Sequence, residues 1–132
     1  MIIDKLTYPF IAFLLVLFPA TAMTAGNTEV MKLTETYGCS ACHAATNQKA
    51  KKGGKPVLPV GPSYPAIAKR FYSNSNPEKY QELYRIIKHG SSPYRSYYQG
   101  KISGLAMPPN DDTISDLDIN RMLVWILTSF NK

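Results

Sequence analysis

Cys39-Ser40-Ala41-Cys42-His43 is the stretch whose residue types and spacing can do chemistry. Two thiols with two residues between them sit about one helical turn apart. At that separation both can add across vinyl groups of a single porphyrin and form thioethers. A His directly after the second Cys can bring its imidazole to the iron as an axial ligand. Cys39 and Cys42 are the only cysteines in the chain, so no other thiol competes for these roles. The pattern reads as the attachment site of one covalent c-type haem. Two other chemistries use similar residues. A redox disulfide would want a βαβ pattern around the motif, and no strand run adjoins it. A zinc site would need a second ligand pair, and His89 is the only other His.

An iron with one His needs a second ligand or keeps an open position, and that choice separates carriers from catalysts. Met107 is the candidate, in the run Met107-Pro108-Pro109-Asn110. It lies far along the chain from His43 and can close over the other face of a ring. The two prolines restrict φ and lower the entropy lost in holding a weak thioether ligand. Met31 and Met122 fall within helical patterns and read as packing residues. His89 is the rival ligand, but a helix end before Gly90 already explains a basic residue there.

The elements that must position these residues are helical. Asn27 to Tyr37 reads as a helix with Asn27 as N-cap, and Val30, Leu33 and Tyr37 on its inner face. Gly38 ends it next to the cysteine motif. Residues 44 to 62 read as a loop crowded with Lys49, Lys51, Lys52 and Lys55, with Gly53 and Gly54 as breakers. Ser63 caps a short helix to Phe71. Asn76-Pro77 opens another, which Gly90 closes. Residues 91 to 113 form the longest irregular stretch, which in a small domain is usually functional. The last helix runs from about Asp116 to Phe130, with Ser115 as cap and Ile114 stapled to Ile119. Ile119, Met122, Leu123, Ile126 and Phe130 mark its buried face. No stretch reads as a strand, so the fold class is all-α, with about four or five helices around one haem.

The chain has 132 residues and a formal charge of +6. Residues 1–25 read as an export signal: an apolar run from Phe10 to Phe18, then Ala20-Thr21-Ala22 as a small-x-small cleavage motif. An uncleaved anchor is the alternative reading, although the run is short against the roughly 20 apolar residues of a bilayer span. Residues 26–132 then make one small domain with a limited core of its own. A basic surface suits an acidic protein, nucleic acid or an anionic membrane. Export favours the first, so neither a nucleic-acid partner nor a membrane span in the mature form is expected.

With these residues in place, the chain resembles small monohaem bacterial class I cytochromes c of the short periplasmic type. The matching segments are Gly38 to Ala44, Val60-Gly61-Pro62-Ser63-Tyr64, Ile87-Lys88-His89-Gly90, Met107 to Asn110 and Val124-Trp125-Ile126-Leu127. Together they span nearly all of residues 26–132 in the family's order. The resemblance implies thioethers at Cys39 and Cys42, with His43 and Met107 as axial ligands. It also implies a His43 hydrogen bond to the carbonyl of Pro62, and an Asn110 amide directed at the Met107 sulfur or the haem edge. Relatives usually carry a Trp shortly before the ligand Met, against a haem propionate. Here the only Trp is Trp125, leaving Tyr94, Arg95, Tyr97 and Tyr98 as stand-ins.

The function implied is periplasmic electron transfer with redox-protein partners bearing acidic docking surfaces, and no enzymatic step. The alternative is a dedicated cytochrome subunit of a periplasmic oxidoreductase, for example one oxidising a sulfur compound. Free monomer and complex subunit are both compatible with the residues. An open-site haem enzyme would need a distal His/Arg arrangement, and none is visible.

Overall fold

The structure is a computed structural model, and it describes residues 22–47, 51–72 and 76–130. Most of the expected export segment and Lys49 lie outside these. The chain forms α1 (Ala22–Thr36), a 3-10 turn (Cys39–Ala41), β1 (Lys51–Lys52), β2 (Lys55–Pro56), α2 (Tyr64–Phe71), α3 (Pro77–His89) and α4 (Asp116–Ser129).

Three helix starts are set by side-chain caps. Ser63 Oγ accepts from the backbone N–H of Ala66 at 3.3 Å, and Asn76 Oδ1 accepts from Glu78 at 2.9 Å. Ser115 Oγ accepts from Asp118 N–H at 3.1 Å and donates to Asp118 Oδ2 at 3.0 Å. Each cap satisfies an N–H that has no partner within its helix. Pro77 follows the Asn76 cap, where its missing N–H costs nothing.

α1 differs from expectation. It is already helical at Ala22, the first described residue and five before the expected cap, so Asn27 is an interior residue. Ala22-Met23-Thr24-Ala25 contains strong helix formers, enough to carry the helix through Gly26. The boundary expected after residue 25 therefore falls inside a helix. Met31 is 43% exposed and is not a packing residue. It sits about 100° round the helix from Val30, off the inward face that Val30, Thr34 and Tyr37 share. Thr34 is buried and donates to Met31 O at 2.7 Å.

The expected absence of strands is also corrected. β1 and β2 pair antiparallel across Gly53 and Gly54, whose φ values are 58° and 78°. Positive φ at both central residues is the two-residue hairpin turn that glycine adopts without steric cost. The strands are two residues each and exposed, so they present lysines and add nothing to the core.

α4 is the central element and packs against α1, α2 and α3. Its Ile119 and Leu123 are fully buried, against a core that includes Ile67, Ala68, Phe71, Leu83 and Ile87. Each large aliphatic side chain buried this way contributes about 1.5–3 kcal/mol. Polar pairs fix the helix registers. Tyr37 donates to Asp118 Oδ2 at 2.7 Å between α1 and α4. Tyr80 donates to Asn120 Oδ1 at 2.6 Å, and Lys88 pairs with Asp116 at 2.5 Å, between α3 and α4. Among the described residues no helix is long and apolar enough to cross a membrane.

Candidate functional site

The site begins where α1 stops. Gly38, at φ 71°, takes the left-handed conformation, and its N–H donates to Glu35 O at 3.0 Å. The chain then turns tightly. Cys39 O accepts from the N–H of Cys42 at 3.1 Å and of His43 at 3.0 Å. That turn puts Cys39, Cys42 and His43 on one wall of a cavity of about 800 Å³. No disulfide joins Cys39 and Cys42. Burial pushes the Cys39 thiol above its ordinary pKa, and a backbone hydrogen bond partly opposes this. Among the described residues no three His, Cys, Asp or Glu side chains gather as a metal cluster, which leaves the zinc reading without ligands there.

His43 is held on two sides. Its Nδ1 lies 2.7 Å from the carbonyl of Pro62. A carbonyl can only accept, so Nδ1 carries the proton and Nε2 presents a lone pair. Burial, opposed by the Pro62 bond, holds the imidazole pKa below its usual value and favours the neutral ring. Tyr64 stacks on it with ring centroids 5.9 Å apart and planes inclined by 23°. Gly61 explains why the loop can approach so closely. A Cβ there would meet Cys42 O and His43 Cε1, both at 3.0 Å. Two backbone bonds, Gly61 N–H to Cys42 O and Tyr64 N–H to Ala44 O, strap this loop to the cysteine turn.

Met107 borders the same cavity from the 91–113 loop. Its backbone is clamped to the end of α3. Met107 N–H donates to Ser91 Oγ at 2.9 Å, and Ser91 N–H donates back to Met107 O at 3.0 Å. Gly90 has φ 79°, and a Cβ there would lie 2.6 Å from Met107 O. No other residue fits both demands. Asn110 bonds to backbone carbonyls near the end of α3 and in the Met107 loop. Its Nδ2 donates to Ile87 O at 2.9 Å and Pro108 O at 3.1 Å, and its N–H donates to Lys88 O at 2.8 Å. These bonds to backbone carbonyls fasten the Met107 loop to the end of α3. His89 also borders the cavity, but its Nδ1 lies 2.6 Å from Asp111 on an exposed surface.

The rest of the wall is largely apolar, with Ile67, Phe71, Leu83, Ile87, Met122 and Ile126. Met122 is thus both core and cavity wall. Near the rim, Gly104 N–H and Ser103 N–H donate to Val60 O and Pro59 O at 2.9 and 2.8 Å, joining the two long loops. Of the tyrosines expected near the propionates, Tyr94 is 86% exposed. Tyr98 donates to Ala66 O at 2.9 Å, and burial pushes its pKa up to about 12. Sequence reasoning missed Ser91 and Arg70. Serine after a helix-closing glycine carries no distinctive signal, and Arg70 reads as an ordinary helix-end cation.

The cavity fits a porphyrin on its own chemistry. Two thiols and a neutral imidazole stand at one part of the wall, a thioether at another, and hydrocarbon covers most of the rest. Two wall residues carry buried polar atoms: Arg70 Nε, which has no hydrogen-bond partner among the described residues, and the Tyr64 phenol oxygen beside Thr34. Such atoms suit an apolar ring with polar groups at its edge.

A small helical domain closed round such a wall is the architecture of a haem protein that transfers electrons. The family model for cytochrome c matches residues 28–130, and the chain belongs to that family. Its cofactor is accordingly haem c, held covalently. No match is found among the curated proteins or the solved structures.

Proposed function

We propose that this cytochrome c domain is a periplasmic one-electron carrier with His43 and Met107 as its axial ligands. The observation that carries the reading is the convergence of Cys39, Cys42, His43 and Met107 on one cavity. When bound, the haem supplies an iron that takes up and returns one electron. The chain's residues do the rest. Cys39 and Cys42 provide the two thioether sulfurs. Pro62 fixes the His43 tautomer and ring orientation and raises its basicity, as partners of ligating His do. Ser91, Gly90 and Asn110 hold the Met107 backbone, so a weak ligand keeps its place. The apolar wall excludes water and favours the less charged state of the cofactor.

Partners are read from the surface. Lys51, Lys52 and Lys55 stand exposed on the β hairpin. Val60 and Leu105, the latter 83% exposed, stand at the cavity rim. Basic residues steer an acidic partner, and apolar ones give it a dry contact. The same surface suits a free carrier or a subunit of an oxidoreductase, and co-purification with a larger subunit separates these.

Carbon monoxide tests the closed site. Added to the reduced protein it should cause no rapid spectral change, whereas Met107→Ala should bind it at once. Rapid binding by the native protein would contradict the reading and point to an open, catalytic iron.

A further inference from the structure

Arg70, near the C-terminal end of α2, has an environment that the core does not explain. Its guanidinium lies 4.3 Å from the Tyr97 ring centroid and 4.8 Å from that of Phe71. Its Nη2 pairs with Glu82 Oε1 at 3.1 Å. Rings against the planar group and a carboxylate on one corner fix its orientation. Another of its donors, Nε, is buried without a hydrogen-bond partner among the described residues, and Arg70 is a cavity wall residue. A buried charged donor left unmatched is costly, so a site that retains one has an acceptor to meet.

We propose that Arg70 Nε–H donates to one carboxylate of the bound haem, making Arg70 the positioning residue for a propionate. The inference rests on haem c lying in this cavity. The other candidates are already committed or solvated. Tyr98 spends its hydroxyl on Ala66 O. Tyr94, Arg85 and Arg95 are exposed to water. Tyr97 packs its ring between Arg70 and Lys101, whose Nζ is 4.2 Å from the ring centroid. Tyr97 and Tyr98 therefore act through Arg70, one by stacking on it and the other by tying the 91–113 loop to α2. Arginine suits the task because a fixed guanidinium meets a carboxylate with directed N–H groups and keeps its charge at any working pH. Glu82 accepts from the other corner, while the Tyr97 and Phe71 rings hold the guanidinium in place without it.

The test uses holoprotein grown on δ-aminolevulinate carrying carbon-13 at its carboxyl carbon, which labels the propionate carboxylates. Infrared difference spectra between oxidised and reduced protein then isolate the labelled bands. In Arg70→Gln and in the charge-conserving Arg70→Lys, one labelled carboxylate band should shift from its native position. Glu82→Gln removes the ion pair but keeps the guanidinium, and should leave that band much closer to native. Unmoved bands in both Arg70 variants would overturn the proposal. So would a Glu82→Gln shift as large as that of Arg70→Gln, because the ion pair alone would then explain it. Protein that takes up no label would overturn the haem assignment itself, a result distinct from either.

Discussion

At the scale of single residues, this domain spends its glycines and serines on backbone clearance around two side chains. Gly90 combines positive φ with a 2.6 Å approach to Met107 O. Gly90→Ala should cost about 1–3 kcal/mol from backbone strain alone, read as a lower midpoint of thermal unfolding. It should also loosen Met107, seen as faster carbon monoxide binding to the reduced protein. Ser91→Ala removes the acceptor for Met107 N–H. It should cost about 1–3 kcal/mol if that N–H is left unpaired, with the same gain in carbon monoxide binding and no change in His43. Gly61→Ala is the matching test on the other side. Its Cβ would press on the His43 ring, so haem incorporation should fall although Gly61 itself supplies no ligand.

At the scale of elements, α4 is the frame on which the other helices are mounted. Leu123 is fully buried at its centre, and Leu123→Ala should cost about 2–5 kcal/mol by transfer and cavity terms, measured by denaturant unfolding of the holoprotein. The Tyr37–Asp118 bond between α1 and α4 has a pH signature. The Tyr37 phenol and the Ser115 hydroxyl beside it hold the Asp118 carboxyl below its ordinary value of 3.8. A carboxylate depressed in the folded state contributes stability above its unfolded pKa, and that contribution disappears as pH falls through the folded pKa. Acid unfolding below pH 3.8 should therefore be less steep in Asp118→Asn than in the native protein. Helices α2, α3 and α4 were legible because Ser63, Asn76-Pro77 and Ser115 announce themselves by residue type. The helical course of residues 22–27 was not, because Ala22 to Ala25 read as part of an export signal and Asn27 offered a false cap. The lysine hairpin was missed because its strands, flanking Gly53-Gly54, carry no apolar alternation. That Cys39, Cys42, His43 and Met107 would border one cavity was legible from spacing and proline context. Arg70 and Ser91 were not, since their roles depend on Glu82 and Tyr97, or on the return of the Met107 loop, across the fold.

At the scale of the whole molecule, the chain closes two long loops over one cavity and turns a basic face outward. With an acidic redox partner, the bimolecular electron-transfer rate should fall as ionic strength rises, because screening shortens the reach of Lys51, Lys52 and Lys55. Lys51→Glu together with Lys52→Glu should lower the rate at low salt and flatten the dependence, checked by stopped-flow spectroscopy. The central claim is that Met107 seals the iron, so the domain carries electrons and binds no substrate there. The oxidised absorption spectrum of the holoprotein, compared with that of Met107→Ala, tests it most directly. The native protein should show the weak near-infrared charge-transfer band of sulfur-ligated low-spin ferric haem, and the variant should lose it. A native spectrum without that band would contradict the account, directing attention to His89 if low-spin and to an open iron if high-spin.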